Sequence, residues 1–449
     1  MAVTDPRDLH IVVIGAGMGG LGTALAFAKK GFKNIDVYER ASNLGFVGAG
    51  IQMPPNVIRV LDRLGCWEEI EREATDVKDT SIRQGSTNTE LAHVQMPDMR
   101  EKYGYPHCTG HRASLAGGLE NGCKKEKVIK FHFSTELIKV DSYEPRPKIT
   151  LQPRDGEAYQ IECDVLLASD GIKSVTRTQM LGTLGVSSQE EDTGQAAYRI
   201  MLKREDMEND PELKALIDCD TVIRWIGEKR HIIAYPVSNH TIYNLSTAQP
   251  DSNFAATTNA TYTTKGSKSA MLKVYETFCP LVQRMLNLVP DGEVCEWKLR
   301  VHKALPTWTH GCVSLLGDAC HPTLPHLSQG AAMAIEDGAV LAECISRIPN
   351  TQPATIAKAL KVFELLRRDH TSMLVDMASY SGRVLHLGEG KAKEERDKEF
   401  ANHAKNGSVP DKWASPDVQK MIYSYDCVKE AQTKFDELFK SLETPAVAA

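Results

Sequence analysis

Hydrophobic positions near the start fall in one uninterrupted run, Ile11 to Ile14, followed by glycines, by the small-residue stretch LGTALAFAKKG and by a second run, Ile35 to Tyr38. Continuous β-branched runs of this length suit strands buried on both faces, and the stretch between them suits a helix, so a β-α-β unit opens the chain. Pro54 and Pro55 precede Val57, Val60, Leu61 and Leu64 at helical spacing that stops at Gly65, which predicts a surface-packed helix. From about residue 128 to 168, strand-like runs (VIKFHF, LIKVDSY, KITLQP, VLLAS) are separated by Pro, Asp and Gly, with a charged hairpin at Pro145 to Pro147. Longer alternating strands follow, AAYRIML, TVIRWIG, HIIAYPV and TIYNLSTA, and then one helix carrying Met271, Val274, Phe278 and Leu281. A short buried strand at Val313 to Leu316 and a small-residue helix from Gln329 to Ile345 return to the first texture.

These shifts divide the chain. Residues 1–185 and 301–350 read as two parts of one nucleotide-binding domain, 186–300 as an inserted sheet domain, and 351–449 as a charged helical segment in which 388–396 reads as a solvated loop. The fold class expected is mixed α/β, a Rossmann-like domain carrying an inserted β-sheet and a C-terminal helical segment.

With 449 residues the chain can bury a large core, which excludes a disordered tail or a fibrous repeat. The 59 acidic and 53 basic residues give a formal charge of -6 with no long basic block, so nucleic acid is not expected as a partner. Eleven cysteines without a CxxC pair read as thiols in a reducing compartment, and no zinc or other metal site is expected. No secretory leader and no membrane-spanning run is read, so the cytoplasm is the expected location.

The chemistry is concentrated in three glycine-acid elements. Gly15-Ala16-Gly17-Met18-Gly19-Gly20 places GxGxxG between a strand and a helix: Gly15 permits the tight turn, Gly17 lets a pyrophosphate approach, and Gly20 lets helix and strand pack closely. Glu39 ends the second strand 19 residues after Gly20, where a carboxylate accepts hydrogen bonds from an adenosine ribose. The second element, Ser169-Asp170-Gly171-Ile172-Lys173-Ser174-Val175-Thr176-Arg177, follows the strand VLLA. The third, Gly317-Asp318-Ala319-Cys320-His321-Pro322, follows VSLL and leads into PTLPHLSQG. Each alone is ordinary strand-to-helix turn chemistry.

In this order and spacing, together with GAGIQMPPN at 48–56, His111-Arg112 and LLGDACHPTLPHLSQGAAMAIEDG, they resemble the single-component flavin-dependent aromatic hydroxylases over residues 9–350, most closely a salicylate-hydroxylase-like fungal branch. MIYSYDC at 421–427 resembles that branch's C-terminal helical segment more softly. The resemblance implies tightly bound FAD, with the ADP half on Gly15, Gly17, Gly20 and Glu39. It implies that Asp170 touches both FAD and a transient NADH or NADPH, that Asp318 binds the ribityl chain, and that Arg112 contacts phosphate or ribityl oxygens. It further implies that backbone N–H groups at Gly330 and Ala331 face the flavin pyrimidine, and that Pro322, with Pro325 beyond it, shields the oxygen-reactive position from water. No second GxGxxG marks a resident nicotinamide site.

His231 and Tyr235, four apart on one strand, share a face, and the resemblance implies that they line the substrate cavity. Arg199 is the candidate for a substrate carboxylate or phenolate, with Arg224 second. Pro325 stands where the 3-hydroxybenzoate 6-hydroxylase type carries Gln, which favours a salicylate-like hydroxylation, with or without loss of CO2. The reaction implied is hydroxylation of a small phenolic acid by NAD(P)H and O2, and a homodimer is an admissible assembly. Hydroxylation or dearomatisation of a polyketide phenol is the alternative within the family, and a non-catalytic flavin-binding redox sensor using the cysteines is the alternative outside it.

Overall fold

The computed structural model describes residues 5–45, 49–187, 190–253 and 263–442, and Gly48, the first residue of GAGIQMPPN, lies outside them. The opening β-α-β unit forms as expected: strands His10–Ile14 and Asn34–Tyr38 are parallel neighbours joined through helix Met18–Lys29. They sit in a six-stranded sheet in the order Thr309–His310, Val313–Leu315, Val165–Ala168, His10–Ile14, Asn34–Tyr38, Ile129–His132. Its pairings are parallel apart from the 309–310 edge. Val12, Val13, Leu166 and Leu167 are completely buried, which explains why these strands are apolar throughout rather than alternating. The strands just before the three glycine-acid elements are adjacent in this sheet, so all three turns emerge at its carboxyl edge, where ligands of open α/β sheets bind.

The second sheet has eight strands, in the order Thr263–Lys265, Cys295–His302, Glu190–Lys203, Ile242–Pro250, Arg230–Val237, Thr221–Gly227, Asp79–Gln84, Glu90–Gln95. Its last two strands come from residues 79–95, well before the long alternating stretch. One face carries Tyr198, Ile200, Trp225, Ile232, Ala234 and Leu245 and is covered by Pro211–Asp218, Lys268–Val274 and Pro280–Asn287. The opposite face carries Val222, Ile226, Ile233, Tyr235 and Val237 and packs against Leu327, Met333 and Leu374 of the nucleotide unit and the C-terminal segment. Register aligns Arg224 with Ile233, Ile233 with Ser246, and Ser246 with Arg199, so both arginines point to this second face with His231 and Tyr235.

Two sequence expectations are corrected. The single helix over Met271 to Leu281 is two, because Pro280 has no N–H to continue the first and instead occupies the first position of the second. The stretch 388–396 is not a solvated loop throughout: Lys391–Ala401 is helical, and its Arg396 is buried, donating to Val384 O and to Asp397. Among the described residues no helix is long and apolar enough to cross a membrane.

Candidate active site

The first loop is shaped to receive an anion. Gly15 has φ +92°, a backbone conformation open to glycine, and a Cβ on Gly20 would lie 1.9 Å from the Gly15 carbonyl oxygen, so both positions are closed to side chains. Gly17 differs: it is exposed, extended in backbone, and a Cβ there would meet nothing within 4 Å. It stands at the N-cap of Met18–Lys29, which has no side-chain cap, leaving first-turn N–H groups directed at that open space. Glu39 reaches the loop from the end of its strand. Its Oε2 accepts from the Ala16 N–H at 2.8 Å and its Oε1 from the Ala41 N–H at 2.8 Å, so it braces the loop and keeps lone pairs for a ribose.

The second and third elements are clasped together. Asp170 Oδ2 accepts from the Thr176 N–H and hydroxyl, both at 3.1 Å, while Oδ1 is buried without a partner. Burial raises this carboxyl above the usual range. Arg177, 1% exposed, donates to Ile172 O at 2.7 Å and to Ala319 O at 3.4 Å, tying the Asp170 turn to the Asp318 turn. Asp318 itself is reached by solvent, yet enough protein surrounds it for burial to raise its carboxyl, with His321 and Arg112 opposing. A group is both only when it lines a deep cleft.

Arg112 opens the helix Arg112–Lys125, its N–H donating to Ala49 O at 2.8 Å. Its half-buried guanidinium makes no hydrogen bond or ion pair with a described residue. Burial holds it below its ordinary value, and Asp318 and Tyr235 pull the other way. Arg199 is held to about 10 by burial and then by the charge of Arg112; its Nε is buried without a partner and its guanidinium lies 4.6 Å from the centroid of the half-buried Trp297 ring. Two uncompensated guanidiniums around the buried Tyr235, whose phenol burial raises, make a cationic cavity that calls for an anion. Asn244 adds a directed donor: its Oδ1 accepts from the Gly50 N–H at 2.7 Å while its Nδ2 is buried and unpartnered.

The helix Gly330–Ser346 begins at the same cleft. Gly330 and Ala331 are part-exposed and Gln329 gives no side-chain cap, so the N–H groups of its first turn are free for a negatively charged acceptor. Pro322 is buried beside it, whereas Pro325 is exposed. His231 and Tyr235 do share a face, but four residues of strand set them about 13 Å apart. Tyr235 lies at the arginine end. His231 lies at the other, with His326 and His386. Arg224 is 1% exposed and bonded to the fully buried Asp411, so its charge is already answered, unlike that of Arg199.

Behind the Asp318 turn lies a buried network that the sequence reading did not identify. Arg367 donates to Asp337 Oδ1 and to Glu336 Oε2, each at 2.8 Å; Asn56 donates to Glu336 Oε1 at 2.8 Å; Asp337 Oδ2 accepts from the Gly317 N–H at 3.0 Å and pairs with His321 Nε2 at 2.6 Å. Despite full burial, His321 and Arg367 hold the Asp337 carboxyl down to about 2, whereas burial raises Glu336. Adjacent acids inside a helix of small apolar residues were the available signal. The network fixes the backbone of the Gly317–Asp318 turn from beneath.

The residues present fit FAD. An open, N–H-lined glycine loop, the braced Glu39, the orphaned Asp170 Oδ1 and Asn244 Nδ2, and the uncapped helix at Gly330 are groups that a bound flavin dinucleotide would satisfy. Comparison with known proteins agrees: residues 8–354 match the FAD binding domain family. The chain is 30% identical to FAD-dependent monooxygenase OpS4 of Beauveria bassiana (strain ARSEF 2860) over 95% of this chain and 97% of that protein. It is also 30% identical to 3-hydroxybenzoate 6-hydroxylase 1 of Aquipseudomonas alcaligenes over 85% and 91%. A solved salicylate hydroxylase substrate complex shares the fold with a TM-score of 0.76 at 22% identity, covering 98% of this chain and all of that one.

Proposed function

The chain belongs to the family of FAD-dependent aromatic hydroxylases, and from that premise we propose that it hydroxylates a phenolic anion with NAD(P)H and O2, a hydroxybenzoate such as salicylate being the substrate favoured. The observation that carries this reading is the unpaired guanidinium of Arg199, set over the Trp297 ring beside the buried Tyr235. FAD bound here would supply the hydride acceptor for NAD(P)H and the activation of O2.

The protein's own work is to bind, orient and keep dry. Gly15, Gly17, Gly20 and Glu39 hold the ADP half; Asp318 and Arg112 hold the ribityl and phosphate oxygens; Asp170, with one free oxygen, faces the cofactor and the visiting nicotinamide. The first-turn N–H groups at Gly330 and Ala331 favour negative charge on the ring system. Arg199 forks onto the substrate carboxylate with the aromatic ring against Trp297, Tyr235 orients the phenolic oxygen, and buried Pro322 excludes water. His231 closes the far end. A reducing, cytosolic setting suits eleven free thiols.

A larger polyketide phenol is the second reading. The match to OpS4 runs through the C-terminal segment, which contributes residues such as His386 and Asp411 to the substrate face. The redox-sensor reading is disfavoured by the thiols themselves, since nine of the eleven cysteines are buried and burial raises Cys66 and Cys123 to about 12, away from the reactive thiolate.

Aerobic NAD(P)H oxidation across a panel of hydroxybenzoates and larger resorcylic aldehydes tests the function; no stimulation by any phenol would refute it. Arg199→Lys keeps the charge but loses the fork and the stacking on Trp297. At roughly 1.5 to 3 kcal/mol for a charged hydrogen bond, the KM for the best phenolic acid should rise about 10- to 100-fold. FAD content should stay the same. An unchanged KM would remove Arg199 from the substrate site.

A further inference from the structure

The C-terminal segment MIYSYDC is gripped by one face of an early helix. Asn56, Arg59 and Arg63, spaced three and four apart on helix Pro55–Arg63, lie along one side of it. Arg59 donates to Tyr425 O at 2.8 Å and to Tyr423 O at 3.1 Å, and Arg63 pairs with both oxygens of Asp426 at 2.5 and 2.6 Å. Asp426 in turn accepts from the Lys429 N–H at 3.0 Å and caps helix Cys427–Ser441. With its backbone fixed in this way, Tyr425 aims its side chain inward. Its ring stacks on His370 with centroids 3.8 Å apart, and its oxygen accepts from Arg367 Nη1 at 3.1 Å. Burial raises the Tyr425 phenol, so it meets the guanidinium as a neutral acceptor.

Arg367 is the point from which two separate pieces of backbone are held. Its Nε reaches Asp337, whose other oxygen takes the Gly317 N–H. Its Nη2 reaches Glu336, whose other oxygen takes Asn56. Asn56 also donates to Gln329 Oε1 at 3.1 Å, and Gln329 is the residue just before helix Gly330–Ser346. One branch therefore ends at the Asp318 turn and the other at the uncapped helix start. A guanidinium is a planar fork with donors in fixed directions, so the acceptor on Nη1 sets the plane in which Nε and Nη2 meet the two acids. Tyr425 is that acceptor.

We propose that Tyr425, supplied by the C-terminal segment, is a positioning residue for the flavin: by holding Arg367 it sets the Asp318 turn and the first-turn N–H groups of Gly330 and Ala331. The inference rests on the placement of FAD against these two elements under the proposed function. Without the Tyr425 oxygen, a buried cation loses an acceptor, and Arg367 tilts toward another. The tilt passes through Glu336 and Asn56 to Gln329 and draws the helix start away from the ring. Those N–H groups favour negative charge, and the reduced ring carries more of it than the oxidised one. The reduced form therefore loses more stabilisation than the oxidised form.

The test is Tyr425→Phe in the full FAD-loaded chain, with the flavin reduction potential read against a reference dye. Affinity for reduced relative to oxidised FAD should fall about three- to tenfold, which makes the potential about 15 to 30 mV more negative for a two-electron couple. Tyr423→Phe is the matched comparison. The Tyr423 oxygen meets His107 Nδ1 at 2.9 Å on the same segment, so this variant should lower the thermal midpoint comparably and leave the potential in place. An unmoved potential in Tyr425→Phe, whatever its thermal midpoint, or equal potential shifts in the two variants, would overturn the proposal. Should Tyr425→Phe not fold, Arg59→Lys decides, because it keeps the Tyr425 side chain but gives up carbonyl contacts that fix it; an unmoved potential there overturns the proposal as well. Ala331→Pro tests the premise by itself, since proline is tolerated in a first helical turn and removes one N–H, so the potential should again fall. If it does not, the placement of the flavin against this helix fails and the proposal with it; if it does while Tyr425→Phe leaves the potential unmoved, the placement stands and the role of Tyr425 alone is refuted.

Discussion

Gly17→Asp should give a folded but colourless protein, in which FAD content drops from about one per chain to a small fraction. Gly17 is extended in backbone, exposed, and has nothing within 4 Å of its missing Cβ, so the side chain enters without a clash. It also occupies the N-cap of Met18–Lys29, where Asp is among the favoured residues, so helix stability should hold or rise. The cost falls on the ligand alone. A carboxylate about 4 Å from one phosphate charge, at an effective dielectric of about 20, opposes binding by roughly 4 kcal/mol, close to a thousandfold in affinity. The measurement is the flavin-to-protein absorbance ratio beside a thermal melt; full FAD content in Gly17→Asp would refute the placement of the site.

Arg367→Met should be the most destabilising change in the molecule that touches no ligand. Its guanidinium is fully buried and bonded to Glu336 and Asp337, which are themselves buried, so its removal leaves Glu336 with only the neutral Asn56 side chain and Asp337 with only that of His321. Breaking a buried pair from one side costs about 3 to 5 kcal/mol, whereas removing all the charges together costs far less. The denaturation midpoint of Arg367→Met should therefore fall sharply, and adding Glu336→Gln and Asp337→Asn should recover much of the loss. Equal midpoints for Arg367→Met and the unsubstituted protein would show that the network does not hold the Asp318 turn. The Asp337 carboxyl also sets a pH window. Because it is held down to about 2 in the fold, its contribution is present above about pH 4, the unfolded range, and is lost as pH falls through about 2.

The parts of the site legible in the sequence are those whose geometry is local. A glycine that must turn, as at Gly15, or must leave room, as at Gly17, sits within a few residues of the strand and helix that define it, so the motif itself states the geometry. The same holds for the Asp170 turn and for the helix that begins at Gly330. Shared sheet faces were also legible, since period-two alternation puts His231 and Tyr235 on one side. What alternation does not carry is which remote side chains meet each end of the face, and the structure sets His231 among His326 and His386. Nor does it carry partners from remote segments. Arg224 read as a second anion ligand until Asp411, 187 residues away, was found bonded to it. The Arg367 network joins residues 56, 321, 336, 337 and 367, and its members take on meaning only when three helices and a turn are packed. The same is true of helix Lys391–Ala401, whose charged sequence reads as a loop until Arg396 is seen buried against Val384.

On the proposed function, the cleft beside the Asp318 turn performs monooxygenation of a phenol. Its most direct test is turnover of the FAD-loaded protein with NAD(P)H and the best phenolic acid under 18O2, with product read by mass spectrometry against NAD(P)H consumed. The expected result is one labelled oxygen atom in each product molecule and product close to equimolar with NAD(P)H. NAD(P)H oxidation that yields only peroxide, or a product whose new oxygen comes from water, would contradict it.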